Sequence, residues 1–573
     1  MVSKGTGASL GIAIAKAYLI IDPVFDVKNT TVSDVKEEVA LYEKALVQTQ
    51  RQIAKIQRIV HDKMGPDKAD IFTAHIQIAN DPEIKKEIIH TIQTSRLNSA
   101  YVVTQVFDRY YQTFASMEDN YFKERAGDIY DITKRILSNI LHVPLPDILG
   151  IKEPCIVVAN DLTPSAMALL EKQYVKGVVT NYGGRTSHAA IMARSMEIPA
   201  VVGLTDITKK ITTGQLIAIN GENGEVEIAP TDINKWQQRI KDFARLKEEF
   251  KKYINVPSVT LDGHKVEVEG NIGKPVDAPL AVNHGAEGIG LFRSEFLYMD
   301  NDHWPTEDEQ YQGYKKVLET FKDKTVVIRT LDIGGDKKLS YFIFPDEANP
   351  FLGWRAIRFC LAKPEIFKTQ LRALARASLH GKLAIMFPMI ATVDEFKQAK
   401  EFANKTFTEL ENQKQAISHN IQIGMMVEIP AAAVLIDQFA KYADFFSIGT
   451  NDLIQYTFAC DRMSPEVAYL YQPNNPSLLR LVKSIIDHAH ALKKPVAMCG
   501  EMAGDTISIP ILLGLGLDNF SMSVTSIPKA RMIINNLSYQ ECQILANDVL
   551  KLENSEQVET VIKNFLHAKQ LIS

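Results

Sequence analysis

One short segment of the sequence places a histidine directly after a glycine-rich turn. It reads GGRTSHAAIMAR and spans residues 183–194. Its two glycines can turn the backbone sharply, and the run after them predicts a helix with Thr186 or Ser187 as the N-cap. His188 then lies near a helix N-terminus, where free N–H groups favour an anion, and Arg185 adds positive charge. A histidine there can carry a phosphoryl group on a ring nitrogen.

A lone histidine in such a place is more often only a polar neighbour of the helix cap. The phosphoryl interpretation therefore requires a phosphoryl source elsewhere in the chain. A second set of polar residues is the candidate binding site for such a source. Each of these residues follows or ends a short apolar run that predicts a strand. These residues are Asn271, Arg293, Arg329, Glu428, Asn451, Asp452 and Cys499.

The residue types in this second set suit a small polyanionic substrate. Glu428 and Asp452 supply the oxygen ligands that Mg²⁺ prefers. One arginine guanidinium group can bind two oxygens of a phosphate or a carboxylate at once. Arg293 and Arg329 are two such residues, and Arg462 in the segment CDRMSP is a third. The same side chains can instead form buried structural ion pairs, and Cys499 alone is more often a small buried hydrophobe. In a charged pocket its thiol can act as a proton donor.

Eight candidate strands alternate with helical segments over the last 310 or so residues and carry these side chains. Eight is the number of strands in a (β/α)8 barrel, in which active sites lie at the C-terminal ends of the strands. The predicted strands are VEVEGNIG, GIGLFRSEF, VVIRTLDIGG, LAIMFPMI, IGMMVEIP, FFSIGTNDL, PVAMCGEMAG and NFSMSVTSI.

The 573 residues predict several domains. Residues 33–141 have a three-four apolar spacing and few glycines or prolines, which predicts a helical bundle. After residue 146 come short β-branched runs, typical of a compact α/β unit that contains His188. The charged stretch 234–253 predicts a linker helix.

Composition narrows the class of protein. A formal charge of −5 and a pI near 6.3 give no basic surface for nucleic acid. The five cysteines are scattered without CxxC spacing, which disfavours a disulfide framework and favours a reducing, cytoplasmic compartment. The apolar run SLGIAIAKAYLII is interrupted by Lys16 and suits a buried strand better than a signal peptide. No other uninterrupted apolar stretch is long enough to span a membrane.

The motifs together resemble Enzyme I of the phosphoenolpyruvate-dependent sugar phosphotransferase system, the phosphoenolpyruvate–protein phosphotransferases. The resemblance covers almost the whole chain. The motifs that carry it are GASLGIAIAKA, GGRTSHAAIMARSMEIPAVVG, GAEGIGLFRSEFLYMD, IRTLDIGGDK, NPFLGWRAIR, MVEIPAAA, SIGTNDLIQYTFACDR and AMCGEMAGD.

The resemblance implies a role for each site residue. His188 would be phosphorylated by phosphoenolpyruvate, Glu428 and Asp452 would bind Mg²⁺, and Cys499 would protonate the enolpyruvate carbon to give pyruvate. The implied substrate-binding residues are Arg293, Arg329, Asn451, Asp452, Arg462, Lys337 and Arg355.

The resemblance also implies the domains and partners. Residues 1–22 and 144–230 would form a swivelling α/β phosphohistidine domain, and 23–143 an inserted helical domain that binds the phosphocarrier protein HPr, with 121–135 its most recognisable stretch. A linker helix at 231–255 would lead to a phosphoenolpyruvate-binding (β/α)8 barrel at 256–573. His188 would swing between the barrel and HPr, and the chain would form a homodimer through the barrel.

The chain departs from the family pattern at one place. Many relatives have a threonine that bonds to the active histidine four residues after the threonine of the LTPS motif, whereas this chain has Met167. Thr186 is a candidate to orient the His188 ring instead.

Other functions remain open at this point. A lyase or kinase of the pyruvate type would work entirely in the barrel, with a structural His188. Phosphoenolpyruvate synthase and pyruvate phosphate dikinase share GGRTSH and the barrel motifs, but they carry a large ATP-binding domain, for which the N-terminal third is too short. A regulatory protein that only senses phosphoenolpyruvate has no need of a nucleophile and a proton donor.

Overall fold

The computed structural model describes most of the chain. It covers residues 2–572 except 22, 65, 117–119, 147, 163, 185–186, 300, 336, 338, 340 and 463. The side chains at 60–64, 66–71, 74, 115–116, 120–126, 149, 164–165, 168, 188, 191, 195, 247 and 465 also lie outside the description. Two compact units comprise Met1–Lys247 and Glu248–Ser573.

An eight-stranded sheet forms the α/β part of the first unit, in the order β1-β8-β7-β3-β4-β5-β6-β2. Its strands are β1 Val2–Lys4, β2 Thr6–Ser9, β3 Ile12–Ile20, β4 Cys155–Ala159, β5 Val175–Thr180, β6 Ala200–Val202, β7 Leu216–Asn220 and β8 Glu225–Ile228. Strands β3 to β6 pair in parallel, whereas β7 pairs antiparallel with β3 and with β8. Every residue of β4 is buried, as expected for a parallel strand covered on both faces.

The helical part of the first unit is inserted between β3 and β4. Its helices are α1 Val35–Met64, α2 Pro66–Ala79, α3 Pro82–Ser95, α4 Ser99–Ser116 and α5 Asn120–Leu141. The predicted three-four spacing places Tyr42, Leu46 and Ile53 in the core of this bundle. Asp81 caps α3, since its side chain accepts the backbone N–H groups of Glu83 and Ile84 at 2.8 and 3.1 Å.

Four further helices complete the first unit and lead to the second: α6 Pro164–Leu169, α7 His188–Ser195, α8 Ile207–Lys210 and α9 Ile233–Lys251. The predicted linker helix is α9. Trp236 near its start is buried, and its indole N–H donates to Glu227 of β8 at 2.6 Å.

The second unit contains a closed barrel of eight strands in which every neighbouring pair is parallel. The strands are β9 Glu267–Ile272, β10 Ile289–Arg293, β11 Thr325–Arg329, β12 Lys382–Phe387, β13 Gln422–Val427, β14 Phe446–Ile448, β15 Val496–Met498 and β16 Asn519–Ser523. All eight strands predicted from the sequence are confirmed.

Helices surround this barrel. They are α10 Ala278–Asn283, α11 Phe296–Met299, α12 Glu307–Phe321, α13 Ile357–Ala362, α14 Pro364–Ala377, α15 Val393–Asn412, α16 Pro430–Val434, α17 Ile436–Phe439, α18 Thr450–Phe458, α19 Pro476–Ala491, α20 Ser508–Leu515, α21 Ile527–Asn535, α22 Tyr539–Val549 and α23 Ser555–Ala568. Short 3-10 helices lie at Ile148–Gly150, Pro275–Asp277, Pro350–Leu352, Ser378–His380, Pro465–Leu470, Glu501–Gly504 and Val524–Ser526. The predicted fold class is thus confirmed: an α/β unit with an inserted helical bundle, followed by a (β/α)8 barrel.

Side-chain alternation along the strands separates two apolar cores in the barrel. The larger core includes Val326, Ile328, Met425 and Val427 and involves the surrounding helices. The smaller one consists of Leu291, Val327, Ala384, Met386, Met426, Phe445 and Cys499. Those residues of the smaller core that lie in strands alternate with residues of the larger core, so the smaller core fills the barrel interior.

Within the described part of the chain, no helix combines the length and the apolar character needed to cross a bilayer.

Candidate active site

The polar residues singled out in the sequence meet at one rim of the barrel. Arg293 and Arg329 are the last residues of β10 and β11, and Cys499 follows β15 directly. Glu428 likewise follows β13, while Asn451 and Asp452 lie in the first turn of α18, just after β14. Because all eight strands are parallel, their C-terminal ends share this rim.

Asp332 joins three cationic side chains at the rim. Its Oδ2 lies 2.7 Å from Lys337 Nζ and 3.0 Å from Arg329 Nη2, and its Oδ1 lies 2.9 Å from Arg355 Nη2. The carboxylate of Glu295 accepts a second hydrogen bond from Lys337 at 2.8 Å and also pairs with Arg329. The structure therefore brings Arg329, Lys337 and Arg355 into one network.

Sequence reasoning missed Asp332 and Glu295. Both were visible as acidic residues near the C-terminal ends of predicted strands, in FRSE and RTLD, but nothing in the sequence identified their partners. Burial acts to raise their pKa values, yet the charges of Lys337 and Arg329 hold both below the ordinary value. Both carboxyls are thus ionised, and the arginines that they hold are fully charged.

Glu428 and Asp452 form a second acidic pair. Glu428 is buried, and its Oε1 accepts the backbone N–H of Met389 at 2.6 Å. Burial and the negative charges of Asp452 and Asp332 raise the pKa of Glu428 to about 8. Asp452 Oδ1 is buried without a hydrogen-bond partner, and the nearest cations are Arg355 Nη1 and Arg462 Nη1, each at 3.8 Å.

This acidic pair fits a divalent cation. Its donors are carboxylate oxygens, one of them is buried and unsatisfied, and two like charges lie together. Within the described residues, no group of three or more His, Cys, Asp and Glu side chains is arranged to hold a metal. Two protein carboxylates suit Mg²⁺ in particular, because this ion usually takes its remaining ligands from water and from a phosphorylated substrate.

Three further rim residues differ in their contacts. Arg293 is partly exposed and makes no ion pair with any residue that the structure describes. Arg462 faces Asp452, and its guanidinium carbon lies 5.9 Å from the ring centre of Phe351. Asn451 Oδ1 accepts the backbone N–H of Glu501 at 3.3 Å. The rim thus retains in Arg293 a cationic group that no described carboxylate pairs with.

Cys499 is buried between this charged rim and the apolar barrel interior. It is 3% exposed and belongs to the cluster that contains Met386 and Met426. Burial raises the pKa of its thiol. The thiol therefore keeps its proton at neutral pH, as a proton donor must.

The histidine segment lies in the first unit and begins α7 as expected. Ser187 is the N-cap, and its Oγ accepts the N–H of Ala190 at 3.4 Å. Gly183 has φ of +103°, which confirms the predicted turn. Met167 is fully buried in the core that also contains Ala189, so it packs against α7 instead of bonding to a ring. Arg185, Thr186 and the His188 side chain lie outside the described residues.

Three segments of the chain match models of known protein families. Residues 4–125 match the N-terminal domain of the PEP-utilising enzymes, residues 151–224 their mobile domain, and residues 247–539 their PEP-binding domain.

Curated relatives match almost the full length. A protein from Mycoplasma capricolum is 53% identical over 98% of this chain and 99% of its own. One from Staphylococcus carnosus is 50% identical over 98% of both chains, and one from Bacillus subtilis is 50% identical over 98% of this chain and 99% of its own. All three are named phosphoenolpyruvate-protein phosphotransferase.

Proposed function

The chain belongs to the phosphoenolpyruvate-protein phosphotransferases, and from this premise we propose that its barrel binds phosphoenolpyruvate and passes the phosphoryl group to its own His188. The acceptor of the next step is the phosphocarrier protein HPr, which makes this the first reaction of sugar uptake by the phosphotransferase system. The observation that carries the proposal is the meeting of arginines, an acidic pair and a buried thiol at one barrel rim.

The cationic rim residues bind the substrate oxygens. Arg293 has no ion pair among the described residues, and the ion pair of Arg462 with Asp452 is long, at 3.8 Å. Both arginines can therefore turn toward a phosphate or a carboxylate. Arg329 is held by Glu295 and Asp332, which fixes its direction before the substrate arrives. Lys337, Arg355 and Asn451 complete the set of proposed substrate-binding residues.

Glu428 and Asp452 hold Mg²⁺ in this proposal. When bound, the ion neutralises substrate charge and fixes the substrate oxygens with respect to the arginines. The 2.6 Å bond from Met389 N to Glu428 Oε1 orients that carboxylate and leaves its second oxygen for the metal.

His188 is the nucleophile. A neutral ring nitrogen attacks phosphorus in line, the N–P bond forms, and the bond to the enolpyruvate oxygen breaks. The start of α7 favours the product, because free N–H groups and the positive end of the helix dipole stabilise a negatively charged phosphohistidine.

Cys499 completes the first half-reaction. The enolate electrons form a new C–H bond with the thiol proton, which yields pyruvate and a thiolate that water reprotonates. The raised pKa of this thiol keeps the proton in place until the enolate forms.

The second half-reaction takes place away from the barrel. We propose residues 23–143 as the HPr-binding domain and residues 1–22 with 144–230 as the swivelling phosphohistidine domain, with homodimerisation through the barrel. All five cysteines are free thiols, which supports a cytoplasmic location.

Labelling with ³²P-phosphoenolpyruvate in Mg²⁺ tests the proposal. The wild-type chain should acquire acid-labile, base-stable label and pass it to purified HPr, whereas His188→Ala should acquire none. Substitution beside a helix start should cost roughly 1 kcal/mol or less, so the variant should fold. Labelling of His188→Ala, or a wild type that makes pyruvate without becoming labelled, would point to a lyase or to another nucleophile.

A further inference from the structure

The backbone of Cys499 is held by different means on its two sides. On the β14 side, its N–H donates to the carbonyl of Ile448 at 3.1 Å. On the β16 side, the last paired residues of the ladder are Met498 and Phe520. The carbonyl of Cys499 therefore lies beyond the point where strand pairing can hold it.

A side chain from a more distant strand takes the place of the missing ladder bond. Asn271, in β9, donates from Nδ2 to the carbonyl oxygen of Cys499 at 2.9 Å. In the barrel order, β16 lies between β9 and β15. Asn271 thus reaches across one strand inside the barrel to the residue that carries the thiol.

Ser521 fixes the orientation of the Asn271 amide. Its Oγ donates to Asn271 Oδ1 at 2.6 Å, so the oxygen end of the amide is occupied and the NH₂ end faces Cys499. Ser521 is fully buried in β16.

A third strand leaves room for Ser521. A Cβ atom on Gly290 of β10 would lie 2.4 Å from Ser521 Oγ and 2.5 Å from Ser521 Cβ, closer than side chains approach. Glycine at this position is therefore required by the positions of Ser521 and of Glu269, whose Oε2 the Cβ atom would also meet. A series of contacts thus runs from Gly290 to Ser521, from Ser521 to Asn271, and from Asn271 to the backbone of Cys499.

We propose that Asn271 is a positioning residue for protonation of the enolpyruvate carbon, acting through Ser521 and the Cys499 carbonyl. This inference rests on the proposed function. The peptide group after Cys499 carries the chain into Gly500, so the bond to its carbonyl limits rotation of the backbone that supports the thiol. Asn271 does not exchange a proton. It sets the direction from which the Sγ proton meets the carbon.

The test separates carbon protonation from phosphoryl transfer. The thiolate can remove a methyl proton from pyruvate, and the resulting enolate can take a deuteron back from the thiol after exchange with D₂O. NMR of pyruvate in D₂O, with full-length protein and Mg²⁺, measures this exchange without phosphoenolpyruvate. Labelling of the protein by ³²P-phosphoenolpyruvate measures phosphoryl transfer and KM separately.

Asn271→Ala and Ser521→Ala should each slow methyl exchange by about tenfold or more, with KM for phosphoenolpyruvate within about twofold of wild type. Ser523→Ala is the matched control, since this exposed serine lies on the same strand and, among the described residues, its hydroxyl is hydrogen-bonded only to Thr525. It should exchange at the wild-type rate.

Two further variants keep the test decisive if alanine at 271 prevents folding. Asn271→Asp preserves size and the acceptor for Ser521 but removes the donor to Cys499, and Gly290→Ala displaces Ser521 from strand β10. Both should lose exchange. Normal exchange in folded Asn271→Asp, or a raised KM with normal exchange, would overturn the inference. A wild type that exchanges pyruvate but never becomes labelled would instead overturn the proposed function.

Discussion

The buried carboxylate of Asp332 pairs with the partly exposed Lys337 at 2.7 Å from Oδ2 to Nζ, five residues apart in the segment after β11. The same carboxylate also meets Arg329 and Arg355, so one acidic side chain contacts three cations at the barrel rim. Together with Glu295, which pairs with Arg329 and Lys337, this negative charge holds the positive groups of the rim close together. This arrangement supports a concentrated anion-binding surface.

Asp332→Asn should therefore weaken both stability and substrate binding. Loss of one partner from a buried ion-pair network leaves its cations uncompensated, which costs about 3–5 kcal/mol. KM for phosphoenolpyruvate should rise because Arg329 and Arg355 lose their fixed directions. Thermal unfolding and labelling kinetics measure the two effects.

Asp548→Asn is the matched control for that substitution. Asp548 pairs with Lys551 at 2.9 Å, but both side chains are more than 60% exposed. Exposed pairs contribute about 0–1 kcal/mol, so stability and kinetics should stay near wild type. Equal behaviour of the two variants would mean that the Asp332 network does not organise the site.

Asp452→Asn should separate the two half-reactions. It removes one proposed metal ligand while keeping its shape, so labelling by phosphoenolpyruvate should fall by about 100-fold or more. Transfer from phosphorylated HPr back to His188 should persist, because it needs no barrel site. Glu466→Gln, an exposed change beside the rim, should leave both reactions intact. Equal loss of both half-reactions in folded Asp452→Asn would contradict the proposed division of labour.

Cys499→Ala should lower pyruvate formation by about 10²–10⁴-fold, the range for loss of a general acid, with little change in KM. Cys360→Ala is the comparison, because Cys360 is an equally buried thiol on α13. Both variants should lose roughly 1–2 kcal/mol of stability, but only Cys499→Ala should lose turnover. Near-normal turnover of Cys499→Ala would leave the proton donor unidentified.

Glu269→Gln should change how stability depends on pH. Burial and the charges of Glu267 and Glu287 raise the pKa of this carboxyl to about 8. Between the ordinary value near 4.5 and about 8, the folded barrel keeps a proton that the unfolded chain releases, so stability falls as pH rises. The melting temperature of Glu269→Gln relative to wild type should increase from pH 5 to pH 8.

Glu267→Gln is the control for loss of a negative charge without loss of a buried carboxyl, because Glu267 is exposed and lies two residues before Glu269. It should follow the wild-type pH profile more closely than Glu269→Gln does. A Glu269→Gln profile parallel to wild type over this range would mean that Glu269 is ionised in the folded barrel.

The strands of the barrel were predictable because their signal is local. Parallel strands are covered on both faces, so each appears as a short apolar run, and β12 and β13 have five buried residues each. The rim position of Arg293, Arg329 and Cys499 followed from the ends of those runs. Strand identity and strand ends together define where the site lies.

The partners within the site were not predictable, because they are distant in the sequence. Asn271 and Cys499 are 228 positions apart, and Glu295 and Arg329 are 34 apart. No periodicity relates such residues, since the closing of the barrel brings them together. The burial of Met167 against α7 likewise depends on packing between two helices that sequence pattern alone does not align.

The insertion of the helical part between β3 and β4 has a consequence for synthesis on the ribosome. Strand β3 ends at Ile20, but its parallel neighbour begins at Cys155 and its antiparallel neighbour at Leu216. The nascent chain must hold an apolar strand without partners while the whole helical bundle is translated. The bundle can fold first from local contacts, whereas the sheet is complete only after β8 has left the exit tunnel.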